Sequence, residues 1–182
     1  MTSARQLERG TRAPSILATA IDERTVAIPD GASIVHLQFR RFAGCPICNL
    51  HLRSVAKRIG ELLQVGVREV AVFHSEPATM RSYQADLPFE VIADPERRLY
   101  EAYGVSSSAR SVLDPRAWFA YVRGVFARHP SSTFTGEGGH LGLPADFLVD
   151  RNGVIADCHY GKHADDQWSV DDVLSRAGAL HR

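Results

Sequence analysis

The segment "FAGCPICNLHLRSVAKRIGELL", Phe42 to Leu63, decides how this chain is read. It holds two of the three cysteines, Cys45 and Cys48, with Pro46 and Ile47 between them. After Pro46, Leu52, Val55, Ala56, Ile59, Leu62 and Leu63 recur at helical spacing, which predicts one amphipathic helix with a single apolar stripe. Upstream, "SIVHLQF" (Ser33–Phe39) is a run of apolar and β-forming residues and predicts a buried strand. The cysteine pair therefore falls at a strand-to-helix junction, at the N-terminus of the helix.

That position has chemical consequences. Unpaired backbone N–H groups and the positive end of the helix dipole both favour thiolate over thiol, so the pKa of Cys45 is expected to fall. Arg40 and Arg41, just upstream, add positive potential if their side chains turn toward the sulfur. Spacing then divides the labour: Cys45 as the exposed nucleophile, and Cys48, one turn inside the helix, as the thiol that attacks the resulting mixed disulfide or sulfenic acid. Two other readings stand beside redox chemistry, a buried structural pair and a metal site. Zinc is the weakest, because a structural site takes four ligands, no second Cys-x-x-Cys exists, and His51 is the nearest additional donor. No metal and no cofactor are expected.

The rest of the chain gives the pair its setting. "VREVAVFH" (Val67–His74) and "FEVIAD" (Phe89–Asp94) predict further strands. "PATMRSYQAD" (Pro77–Asp86) and "PERRLYEAYG" (Pro95–Gly104) predict helices, the latter opened by proline and closed by glycine. This β-α-β-α-β-α rhythm predicts an α/β domain with a central sheet covered by helices. Residues 105–142 break the rhythm. Asp114 and Pro115 can start a helix carrying Trp118, Phe119, Val122, Val125 and Phe126, and a loop containing "GEGGH" follows, so an inserted helix-and-loop segment is expected. "PADFLVDRNGVIADCHYG" (Pro144–Gly161) predicts a β-hairpin turning at Asn152 and Gly153, and "SVDDVLSRAGAL" (Ser169–Leu180) a terminal helix capped by Ser169 and Asp172.

Pro144 opens the strand expected beside the dithiol, where a cis peptide bond would turn its backbone toward the cysteines. The remaining candidates read as structural. Cys158 is expected to be a small core hydrophobe rather than a resolving thiol. His36, His74 and His159 read as satisfied core or face residues that could tune a thiol, and His140 as a loop residue near the pocket.

Composition limits the function classes. The 182 residues suit one domain spanning 1–182, and 21 basic residues balance 21 acidic ones, which argues against nucleic acid or an anionic membrane as partner. The opening "MTSARQLERGTRAP" has no apolar run resembling a secretory leader, and no stretch reaches the ~18 apolar residues of a membrane span, so a cytoplasmic protein is expected. In a reducing compartment, a close cysteine pair is more often catalytic or metal-binding than a structural disulfide.

The runs "RRFAGCPIC", "GTRAP" from Gly10, "ADPERRLYEAYGV" from Ala93 and "PADFLVDRNGVI" together resemble the peroxiredoxin-like branch of the AhpC/TSA group in the thioredoxin-fold superfamily. The aromatic, basic helix followed by "GEG" is similar to the branch that includes the prostamide/prostaglandin F synthases. The resemblance implies a thioredoxin-like fold and thiol-based reduction of a small peroxide or disulfide, with Cys45 as the reactive cysteine and Cys48 as the second thiol. An external donor of the thioredoxin, glutaredoxin or glutathione type would restore the pair. Arg41, Phe42, Pro46 and Pro144 are the supporting positions.

One departure stands out. Peroxiredoxins carry Pro-x-x-x-Thr/Ser-x-x-Cys, but here Phe42 fills the hydroxyl position and Gln38 the proline position. Peroxide reduction and disulfide exchange are therefore left level. A non-catalytic redox-sensing or protein-binding module of the same fold is the alternative.

Overall fold

A computed structural model describes residues 5–105 and 143–180. The expected inserted segment, residues 105–142, lies outside the described residues from 106 onward, and so do His140 and the Trp118–Phe126 face.

Among the described residues the central sheet has five strands in the order β5-β4-β3-β6-β7: β3 (Ile34–Phe39), β4 (Val67–Phe73), β5 (Glu90–Ala93), β6 (Ala145–Val149) and β7 (Ile155–Tyr160). β3 pairs parallel to β4 and β4 parallel to β5, while β6 runs antiparallel to both β3 and β7. Every residue of β3 and β6 is buried, as befits strands covered on both faces.

Successive side chains of a strand point to opposite faces, so β3 feeds two cores. Ile34 joins Leu52, Val55, Leu62 and Phe73 in one, beneath α1 (Pro46–Lys57) and α2 (Ile59–Gln64). Val35, Leu37 and Phe39 join Val70, Val72 and Phe147 in the other, with Tyr100 and Tyr103 packed around Phe39. Among the described residues the remaining helices are α3 (Pro77–Gln84), α4 (Arg98–Ala102) and α5 (Val170–Leu180), the last capped as expected: Ser169 N–H donates to Asp172 Oδ2 (2.9 Å) and Asp172 N–H to Ser169 Oγ (3.2 Å).

Three local features differ from the sequence reading. The long amphipathic helix is two helices with a break at Arg58, and the break turns Leu63 out of the stripe to 60% exposure. An antiparallel hairpin of β1 (Ile16–Thr19) and β2 (Thr25–Ile28) precedes the sheet. Its signal was the alternation that buries Val26 and Ile28, and it reaches the β5 edge through the Ala20–Ile92 bridge. Helix α4 begins at Arg98 rather than Pro95, because the Asp94 carboxylate accepts the N–H groups of Arg98 (3.0 Å), Leu99 (2.8 Å) and Tyr100 (3.3 Å). Sequence does not decide the isomer of the Leu143–Pro144 bond; among the described residues the cis peptide bond is the one before Pro29.

Candidate active site

Cys45 is the N-cap of α1, in extended conformation, and Pro46 occupies the first turn. Proline suits that position because its missing N–H would have had no intrahelical partner. The first helical bond runs from Asn49 N–H to the Cys45 carbonyl (3.0 Å), and Cys45 N–H closes a tight turn on Phe42 O (3.0 Å).

The loop that delivers Cys45 is tied from three elements. Ala43 N–H donates to Ser75 Oγ (3.0 Å), just past β4. The Ala43 carbonyl accepts from Asn49 Nδ2 of α1 (3.1 Å) and from Gln84 Nε2 of α3 (2.7 Å). Phe42 packs in the core beneath the loop, with the Arg41 guanidinium over its ring at 5.7 Å. Sequence reasoning missed Asn49, Ser75 and Gln84, since a polar residue that braces a distant loop leaves no local pattern.

Neither cysteine is in a disulfide and each is 1% exposed, so the expected exposed nucleophile is enclosed. Burial pushes the Cys45 thiol up. The Cys48 thiol that donates to it, the Arg41 guanidinium, and the backbone N–H groups of Cys48 and Ile47 outweigh burial and bring it down to about 6. Arg41 NH1 lies 3.9 Å from Cys45 Sγ. Cys48 moves the opposite way, raised by its own burial and then by the Cys45 thiolate beside it. One sulfur is thus an anion near neutral pH and the other holds its proton.

Arg40, expected to act with Arg41, does not reach the sulfur. Its buried guanidinium donates to Asp146 Oδ1 on β6 (2.6 Å), to Gln38 Oε1 (2.6 Å) and to the Phe39 carbonyl (3.2 Å), and lies 3.2 Å from His51 Nε2 on α1. His51 is therefore engaged by an arginine, and burial and that guanidinium lower its pKa to about 3, keeping it neutral. His36 is buried between Glu69 (2.8 Å) and Asp146 (3.3 Å). Burial opposes its charge, but the two carboxylates raise it to about 9.

Pro144 lies one residue beyond Ala145, the partner of Phe39, which puts it at the end of the sheet from which the cysteine loop departs; its carbonyl accepts from Gly161 N–H (2.9 Å). Cys158 lies apart from the pair. It packs against the opposite core, half-buried, with Sγ 3.5 Å from the Leu7 carbonyl, and burial raises its thiol. His159 pairs with Asp166 (2.9 Å). His74 is buried with neither ring nitrogen hydrogen-bonded among the described residues, its ring edge-on to Tyr100. No group of three or more His, Cys, Asp or Glu among the described residues is arranged to hold a metal ion.

A mixed sheet whose central strand runs into a Cys-x-x-Cys at a helix N-terminus defines a thioredoxin-like fold. The chain belongs to the AhpC/TSA family, whose sequence profile matches residues 9–158, and that membership supports a thiol redox function. No curated protein matches it in sequence.

Solved structures agree on the fold. Peroxidoxin BcpB from Mycobacterium tuberculosis superposes with a TM-score of 0.70 at 12% identity, covering 96% of this chain and 99% of that one. The reduced 2-Cys peroxiredoxin of Plasmodium vivax gives 0.70 at 16% identity, over 96% and 82% of the two chains. A Chlorobium tepidum protein described as a thiol:disulfide interchange protein DsbE gives 0.62 at 21% identity, over 95% and 100%.

Proposed function

We propose that the chain is a thiol-dependent antioxidant oxidoreductase working through Cys45 and Cys48. The observation that carries this reading is geometric: Cys45 caps the start of α1 with Arg41 NH1 3.9 Å from its sulfur and Cys48 in the first turn of the same helix, and the Cys48 thiol, Arg41 and the helix N–H groups together lower the Cys45 pKa while that of Cys48 rises.

With a hydroperoxide, the Cys45 thiolate attacks the terminal oxygen. The S–O bond forms as the O–O bond breaks, and the departing alkoxide takes a proton from solvent. Cys48 sulfur then attacks the sulfenic acid, releasing water and leaving a Cys45–Cys48 disulfide. With a disulfide substrate, Cys45 forms a mixed disulfide and expels one thiolate. Cys48, once deprotonated, attacks Cys45 Sγ and expels the other. In either case an external thiol donor reduces the internal disulfide and becomes oxidised. The low pKa of Cys45 also makes it the better leaving group in that last exchange.

Phe42 favours the disulfide route, since it puts a core aromatic where peroxiredoxins use a hydroxyl. The reading includes the cytoplasm as compartment. It also includes kinship to the prostamide/prostaglandin F synthase branch, which rests on the sequence around Trp118–Gly139.

The test supplies reduced protein with hydrogen peroxide, an alkyl hydroperoxide or a protein disulfide, together with a dithiol donor. Multiple turnovers abolished by Cys45→Ser are expected. A single stoichiometric oxidation on every substrate would overturn the enzyme reading in favour of a redox-sensing module.

A further inference from the structure

Five residues on the face of the sheet that packs beneath α1 and α2 close a ring of polar contacts that the dithiol chemistry does not use. Arg40 donates to Asp146 (2.6 Å) and to Gln38 (2.6 Å). Gln38 donates to Glu69, Glu69 faces His36 (2.8 Å), and His36 Nε2 closes the ring on Asp146 Oδ1 as an ion-pair contact at 3.3 Å rather than a hydrogen bond. The members come from three neighbouring strands, β4, β3 and β6, with Arg40 immediately past the end of β3, and all five are buried. Two cations face two anions, and Trp168 N–H adds a donor to Asp146 Oδ2 (3.2 Å).

Stability alone is a weak reason to keep such a ring, because buried ion pairs are often replaceable by apolar residues at no cost. Its geometry suggests a better one. Every part of Arg40 is held: the guanidinium by the ring and by His51, the N–H by Val72 O (2.8 Å), and the carbonyl by the Tyr100 hydroxyl. The next residue is Arg41, whose guanidinium reaches Cys45. His51 lies on α1 one turn beyond Cys48, so the same guanidinium also ties the dithiol helix to the sheet.

We infer that Arg40, clamped by the Asp146–His36–Glu69–Gln38 ring, is a positioning residue that holds Arg41 and the start of α1 in register around Cys45. The inference rests on the thiolate reading of Cys45. Among the described residues, the groups that act on that sulfur are the Cys48 thiol, Arg41, and the N–H groups of Cys48 and Ile47.

The experiment measures the midpoint of iodoacetamide alkylation against pH, followed at Cys45 by mass spectrometry, with thermal melts to verify folding. Arg40→Met combined with Asp146→Asn removes one charge of each sign. Loss of positioning is expected to raise the Cys45 midpoint by about one pH unit, about tenfold slower alkylation at pH 5. Adding Arg41→Gln should then raise it no further. Asp146→Asn alone should also raise the midpoint. A fall would mean that the ring acts through its charge, and no change that it only stabilises the fold; either result overturns the inference. His51→Leu leaves the ring intact and cuts only the helix tether, so it serves if the paired variant does not fold: a rise is expected, and an unchanged midpoint counts against the idea. A wild-type midpoint in the ordinary thiol range would overturn the thiolate reading and the inference with it.

Discussion

The guanidinium of Arg41 lies 3.9 Å from Cys45 Sγ, while its neighbour Arg40 is turned away onto Asp146. Two adjacent arginines thus have separate tasks, one electrostatic and one architectural. Arg41→Gln is expected to raise the Cys45 pKa by about one unit, because a buried cation beside a thiolate is worth that order. The pH profile of alkylation reads this directly: wild-type reactivity should level off shortly above pH 6, whereas the variant should still be climbing at pH 7.5.

Cys48→Ser should separate the two halves of the reaction. The Cys45 thiolate remains, so one equivalent of oxidant is still consumed and a sulfenic acid accumulates, detectable as a dimedone adduct by mass spectrometry. Turnover with a dithiol donor should fall at least about tenfold because the internal disulfide can no longer form. Unchanged turnover would assign resolution to the donor.

His36 makes folding stability depend on pH in a defined direction. Its folded pKa is raised to about 9 by Glu69 and Asp146 against the opposing effect of burial, and the unfolded value is ~6.5. Its contribution is therefore fully present below about pH 6.5 and is lost as pH rises through 9. Melting temperature should decline across that window, and His36→Gln should flatten the decline. Cys45 carries the opposite sign, its pKa being depressed, so the measurement is best made in a Cys45→Ser background, which leaves the His36 slope alone.

Gly104→Ala should destabilise the fold without touching the dithiol. Gly104 closes α4 at φ +66°, and a Cβ there would lie 2.5 Å from the Arg5 carbonyl oxygen. Left-handed backbone and a steric clash together predict a loss of about 2 kcal/mol or more, measurable by denaturant melts, with the Cys45 alkylation midpoint unchanged.

Much of the local structure was legible in the sequence. The run Ser33–Phe39, the proline at position 46 and the apolar stripe beyond it place Cys45 at a helix start, and helix-end electrostatics act within one turn. Capping by Ser169 and Asp172 is equally local. The break at Arg58 and the start of α4 at Arg98 were not legible. Periodicity runs on across a one-residue kink, and Pro95 suits a turn as well as a first helical turn.

What the sequence by itself determined was the order of elements and the chemistry offered at the strand-to-helix junction, because both depend on residues a few positions apart. Tertiary structure decided which arginine reaches the sulfur, that both sulfurs are enclosed, and that Cys158 sits on the other side of the sheet. It also decided that Arg40 and Asp146, 106 positions apart, share a buried hydrogen bond. Contacts of that kind depend on strand order and register, and a charge bears no mark in sequence of the partner that will neutralise it once water is gone.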